Sequence, residues 1–330
     1  VSDLTKGLAL AALGFSLLNA GPSAARPHAA SPAVARPGDL SGTWTNAWYT
    51  KLERPKEFNG PIATPAEAAA YEAPRRALHG EISPKEDVLG QNESEFPDNG
   101  PGMARVHGEL RSSWIIDPSD GHIPWIPEAK TRLRMGLPPA ETYDNVENRD
   151  TDERCLTAGG SGVPMLNAHD ANLIQLVQTP GWLAIVMEKN HETRYVRMTR
   201  PGSSPSDAGT DPGQTPWLGT STGHWEGKTL VVETKGFRRG ITDMSRALKL
   251  SDHARVTERF TRTSPKEILY AFEVTDETLF TRPWRAEMVF RPAEGLLYEY
   301  ACHEGNYSLP TILHAARLAD SAPKTAGASK

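Results

Sequence analysis

The chain is short of cysteine, of long apolar runs and of any excess of one charge, and each shortage removes a class of function. Only Cys155 and Cys302 occur among 330 residues, and neither has the Cys-x-x-Cys spacing of a zinc ribbon or a dithiol redox centre. Apart from one N-terminal segment, no apolar stretch approaches the roughly 20 residues that span a bilayer. Lys and Arg number 36 against 41 Asp and Glu, for a formal net charge of -5. The two signs are interspersed, so no basic stripe is offered to a phosphate backbone and nucleic acid is not an expected partner. There is no His-Glu-x-x-His, no Walker A loop and no Rossmann fingerprint after a strand, so zinc-protease and most nucleotide-dependent chemistry loses its support. No organic cofactor is expected.

What is present begins with the apolar segment Leu8 to Leu18. It is too short to cross a bilayer and fits the h-region of a signal peptide, with Ser23 and Ala25 as the small residues of a cleavage site. The chain is therefore read as a leader over 1–25, a Pro/Ala-rich linker over 26–38, one domain over 39–320 and a disordered tail over 321–330. Export places the mature chain in the periplasm or outside the cell, with no membrane span after processing. In that oxidising setting Cys155 and Cys302 are expected to pair. Closing a loop of roughly 150 residues contributes up to about 5 kcal/mol in the chain-entropy model.

Within the domain the pattern is mostly that of strands. Gly42-Thr43-Trp44 opens the first. Thr64-Pro65-Ala66-Glu67 is a capping box that starts a helix at Pro65, which Pro74 is expected to stop near Glu72. Residues 79–108, rich in Gly, Pro, Asn and acidic side chains, read as a long loop insertion. A strand follows at 112–117 and a helix from Pro127 to Met135. Hairpins are expected around Thr179-Pro180-Gly181 and Gly227, with a further strand over Thr193 to Met198. The final third alternates with period two: Val256, Glu258 and Phe260; Ile268, Tyr270, Phe272 and Val274; Trp284, Ala286, Met288 and Phe290; Leu296, Tyr298 and Tyr300. Ser308 is placed as the cap of a closing helix from Leu309 to Leu318.

The Gly-x-Trp triplet on the first strand, the antiparallel meander and the late helix resemble the layout of lipocalin-like barrels, which bind small apolar ligands in the barrel mouth. The fold expected is all-β with a few short helices, an antiparallel meander closing into a lipocalin-like β-barrel. Glu153-Arg154-Cys155, Trp225-Glu226-Gly227 and the run Tyr298 to Tyr307 resemble a family of exported bacterial proteins without an established activity. That resemblance supports export and implies no reaction.

The densest polar cluster is Cys302-His303-Glu304-Gly305-Asn306-Tyr307. His303 and Glu304 supply a base near neutral pH and a carboxylate to orient or protonate it. Neighbours on a strand point to opposite faces, so the two meet only if the chain turns. The same run also reads as a disulfide-anchored turn with solvated side chains. Glu188, His191 and Arg194 surround one hairpin, with Glu188 placed on the face of Trp182, Ala184 and Val186, and His191 or Arg194 as its partner. Glu258 lies on an apolar face, with Arg282 or Arg259 available to neutralise it. Either carboxylate fits a site or an ordinary ion pair. Asn306, Tyr307, Arg194, Trp217 and Trp225 are candidates for substrate contact, with Trp44, Trp114 and Trp284 as further pocket walls or core. His169-Asp170 lacks further ligands at metal spacing, so no metal site is expected.

Two functions follow from these residues. One is an exported enzyme, a hydrolase or lyase, acting on a glycoside or plant-derived aromatic by side-chain acid/base chemistry. The other is a carrier holding a small apolar ligand in the barrel. Convergence of Glu188, Glu258 and His303 in an aromatic-lined cavity favours the first, and dispersed carboxylates favour the second.

Overall fold

The computed structural model describes residues 38–80, 100–135, 143, 145–149, 151–157, 162–168, 170–199, 217–238, 241–243, 248–293 and 295–321. The expected leader, nearly all of the linker, the centre of the 79–108 excursion, His169 and the tail after 321 lie outside the described residues.

The chain forms a short first strand, β1 (Gly42–Thr45), then a two-stranded ribbon of β2 (Arg105–Val106) and β3 (Glu109–Leu110), then β4 (Ile115–Asp117). Three strands follow as a meander: β5 (Leu173–Gln178), β6 (Trp182–Met187) and β7 (Thr193–Met198). A hairpin joins β8 (Thr220–Glu226) to β9 (Thr229–Lys235). A second ribbon pairs β10 (Ile241–Asp243) with β11 (Lys249–Ser251). Three longer strands complete the set: β12 (Arg255–Ser264), β13 (Glu267–Thr275) and β14 (Trp284–Pro292).

Among the described residues, nine strands close into a barrel in the order β1-β5-β6-β7-β8-β9-β12-β13-β14, with β14 returning to β1. The closure rests on β1, whose Thr45 faces both Leu173 of β5 and Arg291 of β14. The other end of β14 carries β4, with Arg285 opposite Asp117. Closure removes the unpaired edges that invite association. The meander has one exception: β7 and β8 run parallel, Val196 facing Ser221. Parallel neighbours need a crossover of a dozen or more residues, and residues 199–219 supply it.

The period-two reading holds for β12, β13 and β14, whose alternating residues Val256, Phe260, Tyr270, Phe272, Trp284 and Phe290 are all buried. Tyr270 sits at the centre of their aromatic cluster, 4.9 Å from Phe290 and 5.0 Å from Phe260 between ring centroids. Such pairs contribute about 0.5–1.5 kcal/mol each beyond area burial. At Gly227 the backbone takes a φ of +62°, and Glu226 pairs with Thr229 across a two-residue turn. A positive φ at the first central position suits the right-handed strand twist and favours glycine.

Four expectations are corrected. On β6 the buried face is Leu183, Ile185 and Met187, while Trp182, Ala184 and Val186 look outward. The helix starting at Pro65 runs through Pro74 to Gly80, and Arg75 Nη1 donates to the carbonyl of Tyr71 (2.7 Å) in the turn that lacks a proline N–H. Within the 79–108 excursion, residues 105–106 belong to the first ribbon. Residues 298–301 form neither strand nor helix. Both ends of the outer edge of β14 are already taken by β1 and β4, so no ladder is open to them. The capping box is as expected: Thr64 N donates to Glu67 Oε2 (2.7 Å) and Glu67 N to Thr64 Oγ1 (3.2 Å). The helix Pro127–Met135 also forms as expected.

Candidate functional site

The residues singled out from sequence fall in three places. The first is the barrel interior. Arg194 on β7, Glu258 on β12 and Tyr270 on β13 point into the core with relative exposures of 6%, 0% and 0%. Arg194 Nη2 donates to Glu258 Oε1 (2.9 Å), Nη1 donates to Oε2, and Tyr270 Oη donates to Oε1 (2.6 Å). The amide of Met165 donates to Tyr270 Oη (3.0 Å). Burial, followed by the Glu258 charge, holds the Tyr270 phenol well above its usual pKa, so it stays a donor. The expected partners of Glu258 are engaged elsewhere, Arg259 with Glu226 (2.8 Å) and Arg282 with Asp117 (2.9 Å). The Tyr270 ring meets those of Phe260, Phe272 and Phe290, and Trp44, Trp114 and Trp284, each exposing 2% or less, are buried in the same core. Glu258 is thus enclosed by its own hydrogen-bond partners and by packed side chains, with no exposed surface of its own.

The second place is the turn after β6. Asn190 and His191 both adopt a positive φ, +55° and +49°, a conformation uncommon without glycine. The turn grips the segment after β14. Tyr298 N donates to Glu188 Oε1 (3.4 Å) and Tyr300 N to His191 Nδ1 (3.3 Å). Lys189 pairs with Asp170 (2.8 Å) and lies 4.9 Å from the Tyr300 ring. Glu188 also accepts from Leu173 N (3.4 Å), so both of its oxygens and His191 Nδ1 act as acceptors for backbone amides. Glu192, next along, has its pKa pushed up to about 7 by burial.

The third place is the surface held by the disulfide. Cys155 and Cys302 are bonded, with a Cα–Cα distance of 5.8 Å. Asn306 Nδ2 donates to the carbonyl of Glu153 (2.6 Å), and Glu153 receives a two-bond fork from Arg149 (2.7 Å each). Asn306 Oδ1 accepts from Leu309 N (3.4 Å) at the start of the helix Ser308–Ser321. The capping side chain is therefore that of Asn306, with Ser308 Oγ donating to the same oxygen (3.3 Å). The chain does turn at residues 302–305, but among the described residues the side chains of His303 and Glu304 hydrogen-bond neither each other nor another group. Both are exposed, and Tyr307 is 76% exposed.

Beside this disulfide lies a group of which sequence reasoning picks out only Trp217. The guanidinium of Arg238 sits 4.1 Å from the Trp217 ring centroid and that of Arg154 5.8 Å from it. Neither arginine has a carboxylate partner among the described residues. Arg154 and His303 flank the two bonded cysteines in sequence, which places their Cα atoms within about 13 Å of each other. A guanidinium stacked on an indole keeps its in-plane N–H edge free for a two-bond fork to a carboxylate.

Trp225 belongs to none of these places. It packs half-buried against the core, near Gly38 and beside the pair formed by Glu226 and Arg259. Sequence reading finds no Gly-x-Ser-x-Gly elbow, although Gly219-Thr220-Ser221-Thr222-Gly223 has that spacing. Ser221 is buried on a strand and shares a hydrogen bond with Thr234 Oγ1 (2.8 Å), without the strand-to-helix turn that exposes a nucleophile. Among the described residues no group of three or more side chains is arranged to hold a metal ion, and no helix is long and apolar enough to cross a membrane. Compared with family models, curated proteins and solved structures, the chain matches none.

Proposed function

We propose that the protein is exported to the periplasm or the medium and acts on a small ring molecule bearing a carboxylate, at the surface around Trp217 and the disulfide. A uronic glycoside and a plant-derived aromatic acid are the two forms of that chemistry. The observation that carries the reading is the pair Arg154 and Arg238 around one indole, without a carboxylate of their own among the described residues. Two such forks neutralise a bound carboxylate while the ring stacks nearby; in a uronoside this acidifies the C5–H, and loss of that proton to a base expels the C4 oxygen substituent, which takes up a proton and leaves as an alcohol. His303, with Glu304 beside it, is then the proton acceptor tethered closest to Arg154 by the disulfide, which suits an elimination or hydrolysis that needs no organic cofactor. Export is supported by the leader-like N-terminus together with a disulfide. Glu188, Glu258 and His303 lie in three separate places, which by the criterion drawn from sequence favours the carrier; against the carrier stands the packing of aromatic side chains inside the barrel, so the reaction is assigned to the surface instead.

The test is incubation of the oxidised protein with uronosides, neutral glycosides and phenolic acids, with and without chelator, following products by mass spectrometry. Conversion of a carboxylated substrate is expected, with kcat/KM at least tenfold lower in Arg154→Ala/Arg238→Ala. Turnover confined to neutral substrates, or unchanged in that variant, rejects the assignment. Stoichiometric binding of an apolar ligand without turnover instead supports the carrier.

A further inference from the structure

None of the candidate site residues lines the open cleft of about 380 Å³ that lies against β14, the loop at Pro101–Met103 and the β12–β13 turn. We propose that this cleft is a second binding site and that its ligand is a neutral pyranose ring. The volume is that of a small-molecule site. Trp48 lines it, and its Nε1 donates to the carbonyl of Val289 (2.8 Å), which fixes the edge of the indole. The indole packs partly against the core and has the Arg291 guanidinium 5.8 Å from its ring centroid, and the part of it that lines the cleft is an apolar surface for the C–H face of a sugar.

The charges around Trp48 are of both signs. Glu72 and Glu267 are its acidic lining residues, and Arg105, Lys266 and Arg291 its basic ones. A ligand of single charge meets repulsion from one half of this rim. A ring whose hydroxyls each donate and accept meets partners on both. The acceptor side is pre-organised: Glu72 Oε1 accepts from Met103 N (2.7 Å) and Oε2 from Arg76 Nη2 (2.9 Å). Gly102, at a φ of +153°, permits that approach, because a Cβ there would stand 2.7 Å from Glu72 Oε1. A wall held by hydrogen bonds loses little further freedom on binding.

The experiment uses the full oxidised chain and saturation-transfer NMR with methyl pyranosides of glucose, galactose and mannose, with glucuronate as the charged comparison. At least one neutral pyranoside is expected to bind, at least tenfold more weakly in Arg105→Ala/Lys266→Ala, whose side chains are exposed, and in Trp48→Ala checked for its far-UV spectrum. Arg154→Ala/Arg238→Ala is expected to leave this binding unchanged, so failure here and failure of the proposed reaction are read separately. The proposal is overturned if no neutral pyranoside binds, if only glucuronate binds, or if Arg105→Ala/Lys266→Ala binds as tightly as the parent.

Discussion

Removing the carboxylate of Glu258 tests how the barrel core tolerates its one buried ion pair among the described residues. In Glu258→Ala, Arg194 keeps a charge at 6% exposure with no counter-ion, and Tyr270 loses its acceptor while still receiving the Met165 amide. Breaking a buried pair by deleting one partner costs about 3–5 kcal/mol, because the remaining charge is left unsolvated. The cavity left by the missing side-chain atoms adds to that figure. Replacing the pair with apolar side chains of similar volume, Arg194→Met/Glu258→Leu, removes both charges and is expected to recover most of the loss. Urea denaturation of parent, single and double variants with the disulfide intact, followed by tryptophan fluorescence, measures the difference. A single variant within about 1 kcal/mol of the parent, or a double variant no more stable than the single, refutes the account of the triad as a mutually satisfied unit.

Three further outcomes are expected. Glu192 has its folded pKa raised to about 7 against an ordinary 4.5, so the folded state binds the extra proton between those values and stability falls as pH rises through that window. With discount for partial exposure the loss is about 1–3 kcal/mol, it is complete above pH 8, and it is absent from Glu192→Gln; parallel pH–stability curves for the two proteins would refute it. His191→Ala removes the acceptor of the Tyr300 amide and is expected to increase protease cleavage in the segment 296–301 without shifting the main unfolding transition; unchanged cleavage rules out the grip. Gly227→Val places a β-branched residue at a φ of +62° and is expected to cost about 1–3 kcal/mol, read as a lower denaturation midpoint.

The parts of the fold legible in sequence are those where one face of a strand is clearly more apolar than the other. Val256, Glu258 and Phe260 alternate with Thr257 and Arg259, so burial on β12 is readable, and the same holds on β13 and β14. β6 is apolar on both faces, Trp182 and Val186 outside against Leu183 and Ile185 inside, so period two alone does not choose between them. Tyr298 and Tyr300 alternate like a strand, but a strand needs a free edge, and closure by β1 has used it. Barrel closure also hides partners: Arg194 and Glu258 are 64 residues apart and meet only because β7 and β12 face each other across the lumen. At the candidate site, the disulfide and Trp217 were legible from residue type and compartment. Arg154 and Arg238 were not, because only folding places two separate arginines at one indole.

The position of Cys302 separates what the disulfide does for the fold from what it does for the site. Every pairing that closes the barrel lies between Gly42 and Pro292, so none of those ladders includes a residue near Cys302, although the loop the bond closes contains β5 to β14 and its closure adds up to about 5 kcal/mol to the whole fold in the chain-entropy model. Locally the bond fixes the segment after β14, which is otherwise held by single hydrogen bonds at Glu188, His191 and Asn306, about 0.5–1.5 kcal/mol each, by Lys189 4.9 Å from the Tyr300 ring and by the burial of Leu313. A reduced chain therefore keeps its strands while Arg154 and His303 lose their common anchor. Cys302→Ser is expected to retain the far-UV spectrum of the barrel yet lose at least tenfold in kcat/KM for the carboxylated substrate, with pyranoside binding at the Trp48 cleft unchanged. Full turnover in that variant removes the disulfide surface as the place of reaction, and loss of the sheet signal shows that the segment after β14 is part of the folding unit.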